Sequence, residues 1–402
     1  MKDFFKRIVH FFSSNLIWAV VIMIVLGIIV GQFAPLGFVR IFTTFNAIFS
    51  SFLSFIVPLL ILALVTAAIA DTQAGAGKML VSTIVLAYAS TVLAGVFTYG
   101  VSDFAFPRLI TFRIDGANVM DGILPASQLE PYFKFTFPPF MDTMSALLLS
   151  FLLGLTIIKY EMPILKGAVK ELKLVVMSAI EKVILPLLPI YIFGVFLKMT
   201  VAGEMEMITH VYLKVIGIMI LLMIVVLLLQ YCIAGLVSHK NPFRMLTTMF
   251  PALMTALASS SSAATLPITL RCADKMGAQK NVVDFVIPMC ANIHLSGAAV
   301  RTVALAIATM ITYQIPYSTP QIIGFIFLFS IAVLAAPGIP GGVIMAAVGM
   351  IEAMLGFTPE MIAIIVTLSI ALDSIGTAVN VCGDGALMMI VNTIMNGKSD
   401  KK

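Results

Sequence analysis

The last apolar segment of the chain carries five polar side chains that recur every three or four residues. Ser369, Asp373, Thr377, Asn380 and Asp384 would form one narrow stripe on a helix, because that spacing returns to the same face. A carboxylate at the centre of a bilayer costs roughly 2.5–3.5 kcal/mol on insertion scales, so its retention indicates a role. Oxygen ligands on one face suit Na⁺ coordination or proton transfer and predict a cation and substrate pathway. The alternative is a polar seam packed against another helix.

Three further polar features interrupt the apolar sequence upstream of this stripe. The run Ser259–Ser262 offers hydroxyl groups and, at a break between half-helices, backbone N–H groups that can hold a carboxylate. Arg301 follows one turn after Gly297 in an apolar segment, so it is either the anion partner of a substrate or a structural counter-ion for Asp373. His294 has a similar ambiguity between a hydrogen-bonded packing role and proton coupling.

The composition of the chain is that of a membrane protein. Of its 402 residues, 61% are apolar and 11% are charged, against roughly 45–50% and 25% in soluble domains. This composition excludes soluble enzymes, nucleic-acid binders and secreted domains, and long apolar segments without strand alternation predict an all-α integral membrane protein. Six apolar segments, each long enough to cross a bilayer, fall at 15–34, 45–70, 79–101, 139–158, 174–200 and 209–237, with one long polar loop at 102–138.

Past residue 240 the pattern changes to four apolar segments that are each broken near the middle. They lie at 242–279, 283–312, 321–356 and 360–395. A broken helix at membrane depth is tolerated only where protein or a water-filled cavity satisfies its backbone. Paired breaks of this kind, suggesting two inverted copies of a hairpin-plus-helix unit, point to a transporter site at the midplane. We predict eight transmembrane helices plus two re-entrant helical hairpins.

Charge placement predicts the orientation of these spans. With eight full spans and two hairpins, both termini lie on one side of the membrane, and most Lys and Arg side chains fall on that side. The positive-inside rule then places both termini in the cytoplasm of a cell that carries the protein in its inner or plasma membrane.

Four motifs in the second half of the chain resemble the glutamate transporter family, the dicarboxylate/amino acid:cation symporters. The serine-rich first hairpin is matched by residues 260–267 (SSSAATLP), and the broken seventh span by residues 288–297 (PMCANIHLSG). The second hairpin tip is matched by residues 338–342 (GIPGG), and the eighth span by residues 373–384 (DSIGTAVNVCGD). The Asp-Ser-x-x-Thr-Ala and Ser-Ser-Ala-Ala patterns are also similar to the bacterial serine/threonine transporter branch of that family.

The resemblance implies a set of substrate-binding residues. Asp373 falls where the family holds the substrate amino group, and Asn380 falls where the family binds the α-carboxylate. Acidic-amino-acid members place an arginine in the eighth span where Gly376 stands here, and Arg301 occupies a seventh-span position that lies against that arginine. An acidic substrate and a small neutral amino acid such as serine or threonine both remain open. The full implied set is Ser260, Ser261, Ser262, Arg301, Ile339, Gly342, Asp373, Gly376, Thr377 and Asn380.

The resemblance also implies cation sites. Asp384 matches the carboxylate of a sodium site that backbone carbonyl groups complete, and Tyr88 and Thr91 resemble third-span residues of a further sodium site. Here the family's Asn and Asp of the broken seventh span are His294 and Ser296, so the transported coupling ion is Na⁺ or H⁺. The full implied set is Tyr88, Thr91, Cys290, Asn292, His294, Ser296, Asn380 and Asp384.

These observations predict a secondary active symporter that couples a cation, Na⁺ in the first place, to uptake of an amino acid or dicarboxylate by alternating access. The alternatives are an ion channel and a cation-independent or proton-coupled amino-acid exchanger. An enzyme is not expected, because no nucleophile–base pair or metal-ligand cluster is seen. Residues 1–240 would form six mostly scaffold and trimerisation helices, 241–396 the core transport unit, and 397–402 a cytoplasmic tail. By resemblance the protein is a homotrimer whose partners are a small-molecule substrate and membrane lipid.

Overall fold

The computed structural model describes residues 16–70, 78–110, 129–203, 205–333 and 341–396. All regular secondary structure in these residues is helical, which confirms the predicted all-α class. A short π-helical turn, Ile180–Ile184, joins the fifth and sixth helices. The helices are α1 Leu16–Gly31, α2 Leu36–Ala70, α3 Lys78–Leu109, α4 Thr143–Tyr160, α5 Pro163–Ala179, α6 Leu185–Val201, α7 Met205–Ser238, α8 Pro242–Ser259, α9 Ser262–Asp274, α10 Lys280–Ile293, α11 Ser296–Thr312, α12 Thr319–Ala332, α13 Gly342–Leu355, α14 Pro359–Ala371 and α15 Asp373–Asn396.

The six apolar segments predicted before residue 240 all contain helices. Three bounds differ clearly from the prediction: the second helix begins at Leu36 instead of 45, the third continues to Leu109 instead of ending near 101, and the fifth begins at Pro163 instead of 174. The extra turns of α3 are retained because Phe106 is fully buried in the core. By length and composition, six helical stretches of the described residues are able to cross a membrane, and the finer count of eight spans with two re-entrant hairpins stays a prediction.

Helices α8 and α9 pack against each other as a helical hairpin with a two-residue turn. Ser260 adopts the left-handed conformation with φ 52°, and Ser261 caps α9 by accepting a hydrogen bond from the Ala264 N–H. The break is therefore limited to these two residues, and the predicted interruption from 262 to 267 is helical. With 13 residues, α9 is about 20 Å long, which is shorter than the roughly 30 Å hydrocarbon core.

The broken seventh segment forms α10 and α11, and α11 lies at the centre of the molecule. The break falls at His294 and Leu295, whose backbones leave the helical region. Every residue of α11 except Ile311 is buried, because α11 packs against α3, α7, α14 and α15. A polar group on α11 is therefore removed from both lipid and water.

The last segment is broken at Leu372, so α15 begins at Asp373. The predicted stripe is consequently shorter by one member. Ser369 lies on α14, on the other side of the break, while Asp373, Thr377 and the two later members remain on α15. The start of a helix suits Asp373, since the exposed N–H groups and the helix dipole favour a carboxylate there.

Candidate functional site

The stripe of α15 faces the broken seventh segment, and three of its residues contact that segment directly. Asp373 pairs with Arg301, with 2.7 Å between Oδ1 and Nη1. The Gly297 N–H donates to Asn380 Oδ1 over 2.8 Å, and His294 Nδ1 lies 3.0 Å from Asp384 Oδ1. The stripe therefore packs as a polar seam against the broken seventh segment, and it brings together the residues expected to bind substrate and cation.

The Arg301–Asp373 ion pair is buried at the end of the seam where α15 begins. The side chains of Arg301 and Asp373 are only 1% and 9% exposed. Asp373 Oδ2 also accepts a hydrogen bond from the Gly341 N–H, 3.2 Å away, at the start of α13. The Arg301 Nε–H has no hydrogen-bond partner among the described residues. The pair thus joins three elements of the second half of the chain and leaves one buried donor for a further ligand.

Two glycines allow α11 and α15 to approach closely enough for this pair to form. A Cβ atom on Gly376 would lie 3.1 Å from Arg301 Nη1, so the guanidinium occupies the space beside Gly376. A Cβ atom on Gly297 would lie only 2.5 Å from the Gly376 carbonyl oxygen. Close backbone contact of this kind is a reason for glycine in a helix.

Replacing Gly297 by alanine is expected to separate α11 from α15. The added methyl group meets backbone rather than a movable side chain, so the helices must shift and the Gly297–Asn380 hydrogen bond is weakened. We expect a loss of about 1–3 kcal/mol in stability, measured as a lower midpoint of thermal unfolding in detergent. Gly100→Ala is the matched control, since nothing lies within 4 Å of its added Cβ atom. Equal midpoints for the two variants would contradict the close approach.

The other end of the seam is a hydrogen-bonded cluster around His294. Its Nε2 atom lies 3.0 Å from Ser90 Oγ and 3.3 Å from Gln230 Nε2. Because the Asp384 carboxylate is an acceptor, Nδ1–H donates to it and Nε2 accepts from the Ser90 hydroxyl. Asp384 is 1% exposed, and its second oxygen, Oδ2, has no hydrogen-bond partner among the described residues. A buried carboxylate with one unpartnered oxygen is suited to receive a cation.

Gln230 and Ser90 also belong to this cluster, although no sequence motif singles them out. Gln230 Nε2 also donates to Ser90 Oγ over 2.9 Å and to Ser296 Oγ over 3.0 Å, so it connects α3, α7 and α11. Gln230 could have been found from the sequence, because it is the one amide side chain in the apolar stretch between Lys214 and Ser238. Ser90 had no such signal, since single serines are common in membrane helices.

The structure brings several of the predicted cation residues to the break in the seventh segment. Thr91 Oγ1 accepts from the Leu295 N–H over 3.3 Å, and the Cys290 carbonyl oxygen accepts from the His294 N–H over 2.9 Å. The side chains of two others make different contacts: the Tyr88 hydroxyl donates to the Phe327 carbonyl on α12, and the exposed Asn292 amide, in the last turn of α10, donates to the Pro288 carbonyl. Among the described residues, no three His, Cys, Asp or Glu side chains lie close enough together to hold a metal ion.

The predicted substrate residues outside the seam lie on the two hairpin tips and on α15. Ser260 is buried at the turn of the first hairpin, Ser261 caps α9, and Ser262 is its first residue. Gly342 opens α13, and Thr377 is buried on the stripe of α15. Residues 338–340 of the second hairpin tip, including Ile339, lie outside the described residues.

A buried ion pair and a buried carboxylate between broken, membrane-length helices are features of multi-pass transport proteins. The chain belongs to the sodium:dicarboxylate symporter family, whose model matches residues 16–394. This confirms the family that the motifs predicted. Because the family consists of symporters, membership also supports the interpretation that this is a membrane transport protein rather than an enzyme.

Curated relatives match part of the chain. Excitatory amino acid transporter 3 of Oryctolagus cuniculus is 37% identical over 162 residues, which cover 40% of this chain and 30% of the relative. Excitatory amino acid transporter 4 of Mus musculus is 34% identical over 152 residues, 37% of this chain and 27% of the relative. Excitatory amino acid transporter 1 of Homo sapiens is 33% identical over 187 residues, 46% of this chain and 33% of the relative. The matched region thus spans a third or less of each of these relatives.

Proposed function

We propose that the protein is a secondary active symporter that couples Na⁺ to the uptake of an amino acid or a dicarboxylate by alternating access. Family membership supports the class of protein and the ion. The observation that carries the proposal is the buried Arg301–Asp373 pair at the start of α15, because it offers one positive and one negative charge within 2.7 Å. A substrate with both an ammonium group and a carboxylate can exchange partners with this pair without leaving either charge buried alone.

Each polar residue of the seam has a part in the proposed substrate complex. Asp373 binds the ammonium group. Asn380 binds the α-carboxylate through its Nδ2 donors, since its Oδ1 is already held by the Gly297 N–H. Arg301 binds a second, side-chain carboxylate, and its unpartnered Nε–H provides the additional donor that a bidentate carboxylate contact needs. An acidic amino acid therefore satisfies the site better than a neutral one.

The proposed coupling cation binds at Asp384. The carboxylate has an unpartnered oxygen, and the Cys290 carbonyl lies in the last turn of α10, next to the break at His294. Oxygen ligands of this kind suit hard cations. His294 holds the other oxygen of Asp384, so Na⁺ and the imidazole share one carboxylate.

The packing of the helices supports the proposed division into scaffold and transport units. Helix α9 is too short to cross, as expected for a re-entrant hairpin, and α8 and α9 both pack on α15. Two helices before residue 240, α3 and α7, also pack on α11 and α15. We therefore assign α3 and α7 to the transport unit together with 241–396, and the remaining N-terminal helices to a scaffold that forms a homotrimer. Both termini are proposed to be cytoplasmic.

Exchanging the arginine between helices tests the proposed substrate site. Arg301→Ala is expected to weaken aspartate binding at least about a hundredfold, because a buried carboxylate loses its cationic partner. Arg301→Ala/Gly376→Arg is expected to restore binding, since removal of the Arg301 side chain frees the space beside Gly376. Isothermal titration with aspartate and serine measures both affinities.

Gly376→Arg alone is the control for this exchange and is expected to be inactive, because two guanidinium groups would compete for one buried place. A wild type that already prefers serine, together with unchanged affinities in Arg301→Ala, would show that Arg301 is only a structural counter-ion. The neutral amino acid would then be the substrate.

Proton coupling is a second candidate, and one observation favours it. The 3.0 Å contact between His294 Nδ1 and Asp384 Oδ1 joins a basic group to the proposed cation carboxylate. Uptake into proteoliposomes with Na⁺ and pH gradients imposed separately distinguishes the two ions. Uptake that follows the pH gradient alone, and that is lost in His294→Gln, would replace Na⁺ by H⁺ in the proposed mechanism.

A further inference from the structure

An apolar groove of about 320 Å³ lies between α3, α7 and α15, away from the Arg301–Asp373 pair. Its volume falls within the roughly 300–1,000 Å³ of small-molecule sites. The rim is formed by side chains that are largely exposed, among them Leu93 on α3 and Leu229 and Ile233 on α7. Leu387 on α15 lies deeper and is buried. The groove is thus a lateral opening in the helical surface.

Only two of the residues that line the groove have polar side chains, and both belong to the cluster around His294. They are Ser90 and Gln230, whose hydrogen bonds to the imidazole Nε2 are described above. Their polar atoms are occupied by these bonds and by the Gln230–Ser90 bond, apart from Gln230 Oε1. The groove therefore offers an occupant an apolar wall and little hydrogen bonding.

The groove lies beside other exposed apolar surface on the two helices that form its rim. Helices α3 and α7 are both long and apolar enough to cross a membrane. Large apolar side chains are exposed along both of them on either side of the groove, such as Val85 and Leu221, at 57% and 59% exposure. In a multi-pass protein such surfaces contact acyl chains, which pack against apolar side chains and cannot satisfy polar groups.

We infer that this groove binds one acyl chain of a bilayer phospholipid. The chain lies between α3 and α7, and its inner part rests on Ser90 and Gln230, the side chains that orient His294. An acyl chain in the groove therefore contacts Ser90 and Gln230, which hold His294 in place beside the Asp384 carboxylate. The site differs from the general lipid annulus because three helices surround it, so a bound chain contacts protein on several sides and is released more slowly.

Native mass spectrometry of protein reconstituted in phosphatidylcholine vesicles and then extracted tests this inference. The wild type is expected to retain one phosphatidylcholine per chain under conditions that strip annular lipid. Ala89→Phe fills the groove and is expected to reduce the retained fraction at least about tenfold. Val85→Phe, one turn earlier on α3 and outside the groove, is the matched control and should retain lipid like the wild type.

A second pair of variants keeps the test valid if a phenylalanine at 89 prevents folding. Leu229 lines the groove and Leu221 does not, and both are exposed leucines on α7. Leu229→Ser is expected to lower retention about tenfold, because the acyl chain loses apolar contact, whereas Leu221→Ser should have no effect. Equal retention in both members of each pair would overturn the inference. Unchanged retention with an altered oligomeric state in Ala89→Phe would assign the groove to a second copy and also overturn it.

Discussion

Replacing Asp373 by asparagine is expected to weaken amino-acid binding at least about a hundredfold. The change removes the anion that holds the substrate ammonium group and leaves Arg301 buried without its partner, and breaking a buried pair in this way costs about 3–5 kcal/mol. Arg301 still carries its charge, so a dicarboxylate without an amino group should keep or gain affinity. Isothermal titration with aspartate and succinate measures the two effects separately.

Asp284→Asn is the matched control for this variant, because Asp284 is half exposed and pairs with Lys280 at the surface. Surface pairs contribute about 0–1 kcal/mol, so substrate affinity should not change. An equal loss of aspartate and succinate binding in Asp373→Asn would indicate a general structural defect. If succinate or malate competes as well as amino acids in the wild type, Asp373 does not bind an ammonium group.

Replacing Asp384 by asparagine is expected to weaken the apparent affinity for the activating cation at least tenfold, which is about 1.4 kcal/mol. Asparagine keeps an oxygen that can accept from His294 Nδ1–H, so the seam is retained while the negative charge is lost. The effect should therefore appear in the cation dependence of uptake and much less in substrate affinity at saturating cation. Uptake into proteoliposomes over a series of Na⁺ concentrations measures it.

Asp274→Asn provides the corresponding control, since Asp274 is an exposed carboxylate that pairs with Lys280. Its cation dependence should match the wild type. An unchanged cation dependence in Asp384→Asn would exclude this carboxylate as a ligand. In that case the hydrogen bond to His294 would be its whole role, and the coupling cation would have to bind elsewhere.

Some features of this protein follow from local sequence alone. The composition required a membrane protein, and the apolar segments predicted six helices before residue 240, because a span needs about 20 apolar residues in a row. The breaks at Ser260–Ser261 and His294 were also visible, since runs of polar residues interrupt apolar sequence there. The shared face of Asp373, Thr377, Asn380 and Asp384 needed only the period of the helix.

The partners of these residues were decided only by the tertiary structure. Arg301 pairs with a residue 72 positions away, Gln230 bonds to Ser90 across 140 positions, and Ser90 reaches His294 across 204. Helical periodicity fixes which face a side chain occupies, but the packing of α3, α7, α11 and α15 decides what that face meets. Gly297 and Gly376 illustrate why packing decides these partners. The ion pair between α11 and α15 forms because these two positions without side chains let the helices approach closely.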